Sequence, residues 1–117
     1  MKISAQIILS PEAEEQYRTL IKQASIYKKE RMILDAFNKK KELLKENPRY
    51  GNPVAKKLIP QEYRTKYAAT NLFRVELPAF WRMLYTLTAE GKIEIIAFIL
   101  DIIDHNEYNK KLRYRKK

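Results

Sequence analysis

Cysteine is absent from the chain, which excludes disulfide frameworks, thiolate nucleophiles and cysteine-ligated metals and is compatible with a reducing compartment. Histidine occurs once, and His105 with Asp101 and Asp104 nearby falls short of a recognisable metal-ligand set. No metal and no other cofactor is therefore expected. Long apolar runs are also missing. The stretch from Ile93 to Ile103 is shorter than the roughly 20 residues a spanning helix requires, and Glu94 and Asp101 interrupt it. The opening residues MKISAQIILSPE carry a short apolar run before a proline and acids, too brief for a signal peptide. A cytoplasmic, soluble protein with no membrane partner is expected. No internal repeat and no low-complexity segment is visible.

Acidic residues are in deficit, with 24 Lys and Arg against 14 Asp and Glu, a formal net charge of +10 on 117 residues. Such an imbalance points to a polyanionic partner, although a solvated lysine-rich surface accounts for part of it. The basic tail KKLRYRKK adds little, because frayed basic termini are common. Length and a 45% hydrophobic content suit one domain over 1–117 with a single core.

Ile3, Ala5, Ile7 and Leu9 alternate with Ser4, Gln6 and Ile8, the period of a strand with one strongly buried face. Ser10 offers an N-cap oxygen, Pro11 suits the first helical position, and Glu12, Glu14 and Glu15 favour the positive end of a helix dipole. Ala13, Tyr17, Leu20, Ala24 and Tyr27 recur at helical spacing, which predicts a helix over Pro11 to Tyr27. A second helix is predicted from Glu30 to Glu46, with Ile33, Ala36, Phe37, Leu43 and Leu44 inward and Asn47-Pro48 as its stop. The short link between the two predicts an antiparallel hairpin. The turn formers of Pro48 to Pro53 then lead into a short apolar piece at Lys57 to Pro60.

From Leu72 the period returns to two. Phe73, Val75 and Leu77 share one face, Arg74 and Glu76 the other. Pro78-Ala79-Phe80 turns the chain, and Trp81, Met83, Tyr85 and Leu87 alternate with Arg82, Leu84, Thr86 and Thr88, which predicts a β-hairpin. Glu90-Gly91 marks the next turn, and Ile93 to Ile103 is apolar on both faces, as an interior strand would be. The polar piece Asp104 to Tyr114 reads as a short helix or tail. The fold class expected is α+β, an N-terminal strand and helical hairpin followed by a mainly antiparallel sheet meander with the helices on one face.

Across an antiparallel pair, Arg74, Glu76 and Arg82 emerge on one side of the sheet. Phe73, Val75, Leu77, Trp81, Met83 and Tyr85 seat the helices on the other. The side carrying the arginines is expected to stay open, with His105 and Tyr108 at its rim, a cluster suited to a phosphodiester. An arginine inside an apolar strand is rare without a reason, which singles out Arg82. Trp81 and Tyr85 fall with Met83 on the core side. The plainer alternatives are a cross-strand ion pair for Glu76 and Arg82, and a surface or helix-start role for His105.

The order strand, helical hairpin and strand meander, with RVELPAFWRMLYTL and a terminal DHNEY, resembles the RelE/ParE toxin superfamily over nearly the whole chain. The resemblance implies a type II toxin: RelE-like members cut mRNA in the ribosomal A site without metal, ParE-like members poison DNA gyrase, and a cognate acidic antitoxin wraps either kind. It places Arg82, within WRMLY, at the transition-state arginine, and Arg74 at the basic residue that helps hold the scissile phosphate. His105 and Tyr108 resemble the C-terminal residues that act as acid or stack on a base. Glu76 departs from the pattern, since some RelE-like enzymes carry a lysine there and a carboxylate repels phosphate.

The implied reaction is attack of an RNA 2′-hydroxyl on the adjacent phosphate. Arg74 and Arg82 would stabilise charge on the phosphoryl oxygens, His105 would protonate the leaving 5′-oxygen, and Tyr108 would stack on a splayed base. Glu76 is one candidate proton acceptor. Lys56, Lys57 and Lys66 are others, and candidates for holding RNA phosphates. Three functions stay open: a ribosome-dependent mRNA endoribonuclease, a non-enzymatic gyrase inhibitor, and a weakened relative that binds nucleic acid or antitoxin.

Overall fold

A computed structural model describes residues 5–90 and 94–112 of the chain. Ile3, the Gly91 half of the expected turn, and Tyr114 lie outside the described residues. The fold is α+β. Among the described residues β1 (Ala5–Leu9) is followed by α1 (Pro11–Ala24), α2 (Lys28–Glu46), β2 (Asn52–Pro53) and α3 (Gln61–Tyr67), then by β3 (Phe73–Leu77), β4 (Trp81–Glu90), β5 (Glu94–Asp104) and α4 (His105–Leu112). Short 3-10 turns occupy Lys56–Leu58 and Pro78–Phe80. The five strands form one open sheet in the order β1-β5-β4-β3-β2. It is mixed, because β1 runs parallel to β5 while every other pair is antiparallel.

Ser10 joins strand to helix in the way its position predicts. Its hydroxyl accepts the Ala13 N–H at 3.0 Å, capping α1, and donates to the Leu100 carbonyl at 2.8 Å. Its own N–H reaches the Ile99 carbonyl, the last link between the β1 end and β5. Beyond that point no strand among the described residues lies beside β5 on that side, and Gln16 of α1 supplies a partner. Its side-chain oxygen accepts the Ile102 N–H at 2.7 Å. A buried backbone donor is thus satisfied by a side chain where the ladder stops.

Contacts between Tyr17 and Asn38, Tyr17 and Phe37, and Arg31 and Ala24 show α1 and α2 packed antiparallel. The first helix is three residues shorter than predicted, ending at Ala24. Residues 25–27 are needed to reverse the chain, and Tyr27, the extended residue just before α2, turns its side chain to solvent. Leu43 is likewise exposed rather than inward. The hairpin rests on a core of Ala13, Leu20, Ile33, Phe37 and Leu44 against Phe73, Val75, Leu77, Met83, Tyr85, Ala97, Ile99 and Ile102, with Trp81 half-buried beside them.

The opposite face is not open, contrary to the expectation that helices cover only one side. Leu72, Leu84, Leu100 and Ile103 emerge there, and Ile59, Tyr63, Tyr108 and Leu112 of the α3 region and α4 bury them. Each large apolar side chain removed from water contributes about 1.5–3 kcal/mol, so four on one sheet face are enough to recruit a cover. A register shift between Leu84 and Tyr85 sets the pattern: Leu84 faces Asp101 while Tyr85 faces Ile99, leaving Leu100 as the extra residue of a bulge. Past it the alternation of β5 reverses, so that Ile102 rather than Asp101 continues the first core.

No helix of the described residues is long and apolar enough to cross a membrane. Replacing Ser10 by alanine removes a cap and leaves the Leu100 carbonyl without its hydroxyl donor. Urea denaturation should show a loss of about 1–2 kcal/mol in unfolding free energy. An unchanged unfolding midpoint would contradict this role for Ser10.

Candidate functional site

Arg74 and Glu76 project from β3 and Arg82 from β4, with Glu76 directly opposite Arg82 in the ladder. The three side chains meet as the alternation predicts. The Glu76 carboxylate stands 3.4 Å from Arg74 Nε through one oxygen and 3.6 Å from Arg82 Nε through the other. Glu76 is therefore the ion-pair partner of both guanidinium groups, across the strands for Arg82 and along its own strand for Arg74. Being half exposed, it contributes well under 1 kcal/mol per pair to stability.

Tyr108 closes the cluster from above. Asp104 starts α4 by accepting the Glu107 N–H at 3.0 Å, the geometry of an N-cap, which sets the helix running back over the sheet from His105. One turn later Tyr108 is buried, with the Arg82 guanidinium 4.6 Å and that of Arg74 5.8 Å from its ring centre. Arg74 Nη1 also donates to the Tyr108 hydroxyl at 3.1 Å. The side chains of Arg82 and Arg74 remain 19% and 29% exposed, so this cover is partial. Tyr108 in this position is a cation–π clamp and not an exposed stacking surface, which corrects the role the resemblance implied for it. The physical reason is that the apolar side chains beneath α4 draw the helix onto the sheet and carry the ring inward.

His105 is not gathered into the arginine cluster. It is exposed and meets the Phe80 ring edge to face, with centroids 5.6 Å apart. Lys66 extends from α3 to α1, where its ammonium and the Tyr67 hydroxyl both hydrogen-bond the Glu12 carboxylate. Lys56 and Lys57 are exposed on the 3-10 turn, and Lys57 lines a groove of about 750 Å³ against α4 with Lys110, Lys111, Glu62 and Glu107. Of the predicted residues, Arg74, Glu76, Arg82 and Tyr108 come together, whereas His105 and Lys66 have other contacts and Lys56 and Lys57 are exposed on the 3-10 turn. No group of His, Cys, Asp and Glu among the described residues forms a metal-binding cluster.

A second polar centre went unread in the sequence. Asp101 is buried on β5 and accepts the Tyr63 hydroxyl at 2.5 Å and Gln16 Nε2 at 2.8 Å, while the Lys111 ammonium lies 3.5 Å away and 3.0 Å from Glu62. Burial, and then the Asp101 charge, hold the Tyr63 hydroxyl protonated far above the usual tyrosine range. Burial alone lowers the Lys111 pKa, but Glu62 and Asp101 outweigh it and the net shift is upward. This network pins the last turn of α4 to α3 and the sheet, and so fixes Tyr108 over the arginines. An acid inside an Ile-rich strand was its one sequence signal.

No protein-family model matches the chain, and no curated protein matches it.

Glu12 generates a pH dependence. The hydrogen bond from Lys66, then that from Tyr67, lowers its pKa from 4.5 to about 2. A depressed carboxyl adds stability above its unfolded value and loses it as pH falls through the folded one. Stability should therefore decline from about pH 4.5 toward pH 2, and Glu12→Gln should flatten that limb in urea titrations at each pH. An acid limb identical in the two proteins would contradict the pairing.

Proposed function

We propose that this chain is the toxin of a type II toxin–antitoxin pair, of the RelE-like kind, and acts as a ribosome-dependent mRNA endoribonuclease. The observation that carries this reading is the convergence of Arg74 and Arg82 from adjacent strands on one partly accessible point of a basic domain. Two guanidinium groups so placed suit the non-bridging oxygens of one phosphodiester, where charge grows as a 2′-hydroxyl attacks. The strand, helical hairpin and meander order and the WRMLY segment support the same superfamily. A cognate acidic antitoxin, mRNA and the ribosome are the partners this reading implies.

In the closed cluster Glu76 occupies the electrostatic position that a phosphate would take. RNA binding then exchanges one anion for another: the phosphate displaces the carboxylate from the guanidinium groups, and Glu76 is left beside the nucleophile, where it can accept the 2′-hydroxyl proton. Tyr108 holds both arginines in place through this exchange, as a positioning residue. In this reading His105, exposed at the first position of α4, is the proton donor to the leaving oxygen.

One observation favours a second reading. Glu76 and Tyr108 already engage both guanidinium groups, as they would in a relative that retains the fold and charge but serves as a nucleic-acid-binding or antitoxin-binding module. Cleavage of a reporter mRNA by the purified protein with ribosomes separates the two. The nuclease reading predicts cleavage that Arg82→Ala lowers by about 10²–10³-fold, the usual loss for one donor to a developing oxyanion, with circular dichroism and unfolding midpoint preserved. Growth inhibition should disappear with it. Absence of ribosome-dependent cleavage by the wild-type protein would overturn the nuclease, and inhibition of gyrase would replace it with the ParE-like alternative.

A further inference from the structure

The turn joining β3 to β4 carries a residue type that its geometry does not call for. Ala79 and Phe80 both adopt left-handed backbone conformations, with φ of 60° and 63°. Glycine or asparagine meets that geometry at least cost, and a bulky side chain there is a genuine outlier. Phe80 gains little burial in return: its side chain is 70% exposed, as much as any large apolar residue described. Leu77 pairs with Trp81 across the turn, so the reversal sends Trp81 toward the core and leaves Phe80 outside. Backbone strain and an apolar ring in water are thus combined at one residue. The tight reversal, closed by the Trp81 N–H on the Pro78 carbonyl, itself calls for positive φ, but it does not call for phenylalanine.

The position of the ring suggests its use. Phe80 lies two residues before Arg82, at the end of the sheet where Glu76 pairs with Arg82 and Asp104 with Trp81. His105, the next residue after Asp104, sets its ring against that of Phe80 at 5.6 Å and 63°. An edge-to-face neighbour buttresses one aromatic ring while leaving a face of it accessible. Tyr108, buried against the two guanidinium groups, offers no such face. A flat apolar surface beside a cationic cluster matches the way single-stranded nucleic acids are held, base on ring and phosphate on cation.

We propose that Phe80, buttressed by His105, is a stacking platform for an unpaired base of single-stranded RNA whose phosphate is held by Arg74 and Arg82. This assignment rests on the reading of the arginine pair as an RNA phosphate site. It gives a purpose to phenylalanine at this position, where the turn leaves the ring outside and a base can reach it.

Fluorescence anisotropy with a labelled single-stranded RNA, and with an abasic strand of the same length, tests both layers. Phe80→Gly should bind the RNA about ten-fold more weakly, within the range for one stacked base, and bind the abasic strand as the wild type does. Its melting temperature should be equal or higher, because glycine relieves the strain. Phe80→Asn, which tolerates the same backbone, should reproduce the binding loss, and Phe80→Trp should retain affinity. Arg82→Ala should weaken binding of both strands alike. Unchanged RNA affinity in Phe80→Gly and Phe80→Asn, with Arg82→Ala weakened, would overturn the platform alone and leave the ring as a protein contact. Equal losses on both strands in the Phe80 variants would overturn stacking. Binding indifferent to Arg82→Ala would overturn the phosphate-site reading, and the platform with it.

Discussion

The carboxylate of Glu76, shared between the guanidinium groups of Arg74 and Arg82, is the interaction on which the arginine-bearing face depends. Two like charges held close on a half-covered sheet repel, and the repulsion strengthens as water is excluded. Glu76 offsets it with one negative charge between two positive ones, and the Tyr108 ring faces both cations with its electron-rich surface. The cluster retains one net positive charge.

The second face of the sheet is therefore a layer of mixed purpose. Near α3 it is an ordinary core, in which Ile59, Tyr63 and Leu72 pack with Leu84 and Leu100. Toward the β3–β4 turn it becomes cationic, then aromatic and exposed at Phe80 and His105. The helix α4 spans the transition. Leu112 and Lys111 anchor it over the core, through apolar contact and through the carboxylates of Asp101 and Glu62, and Tyr108 extends that anchorage to the arginines. Displacing α4 would expose apolar surface and leave the buried Asp101 without its ammonium partner. The clamp is held by the cost of that exposure more than by its own cation–π contacts.

Much of this was legible in the sequence, for identifiable reasons. Strict alternation from Phe73 to Leu87 specified the hairpin and which side chains share a face, because strand period leaves only one choice. Ser10-Pro11 announced the start of α1, and Asn47-Pro48 the end of α2. The parallel pairing of β1 with β5 was not readable, since nothing local in either strand encodes its partner. Nor was α3, whose seven residues bury only Tyr63 and are too few to show a period. The covering of the arginine face could have been anticipated: Ile93 to Ile103 is apolar on both sides, which implies layers above and below it. The bulge at Leu100 concealed the consequence by reversing the alternation midway. The resemblance singled out Tyr108, but the inward direction of its ring depends on Leu84, Leu100 and Ile103 beneath α4.

The central claim is that the two arginines are available to phosphates in solution. The salt dependence of single-stranded RNA binding measures this directly, because each phosphate contact contributes about 0.7 to the slope of log affinity against log salt. Arg74 and Arg82 grip one phosphate together, so replacing both by alanine should reduce that slope by about 0.7, whatever residual affinity the remaining lysines supply. A slope identical to that of the wild-type protein would mean that Glu76 and Tyr108 keep the guanidinium groups to themselves, and that the basic charge acts elsewhere.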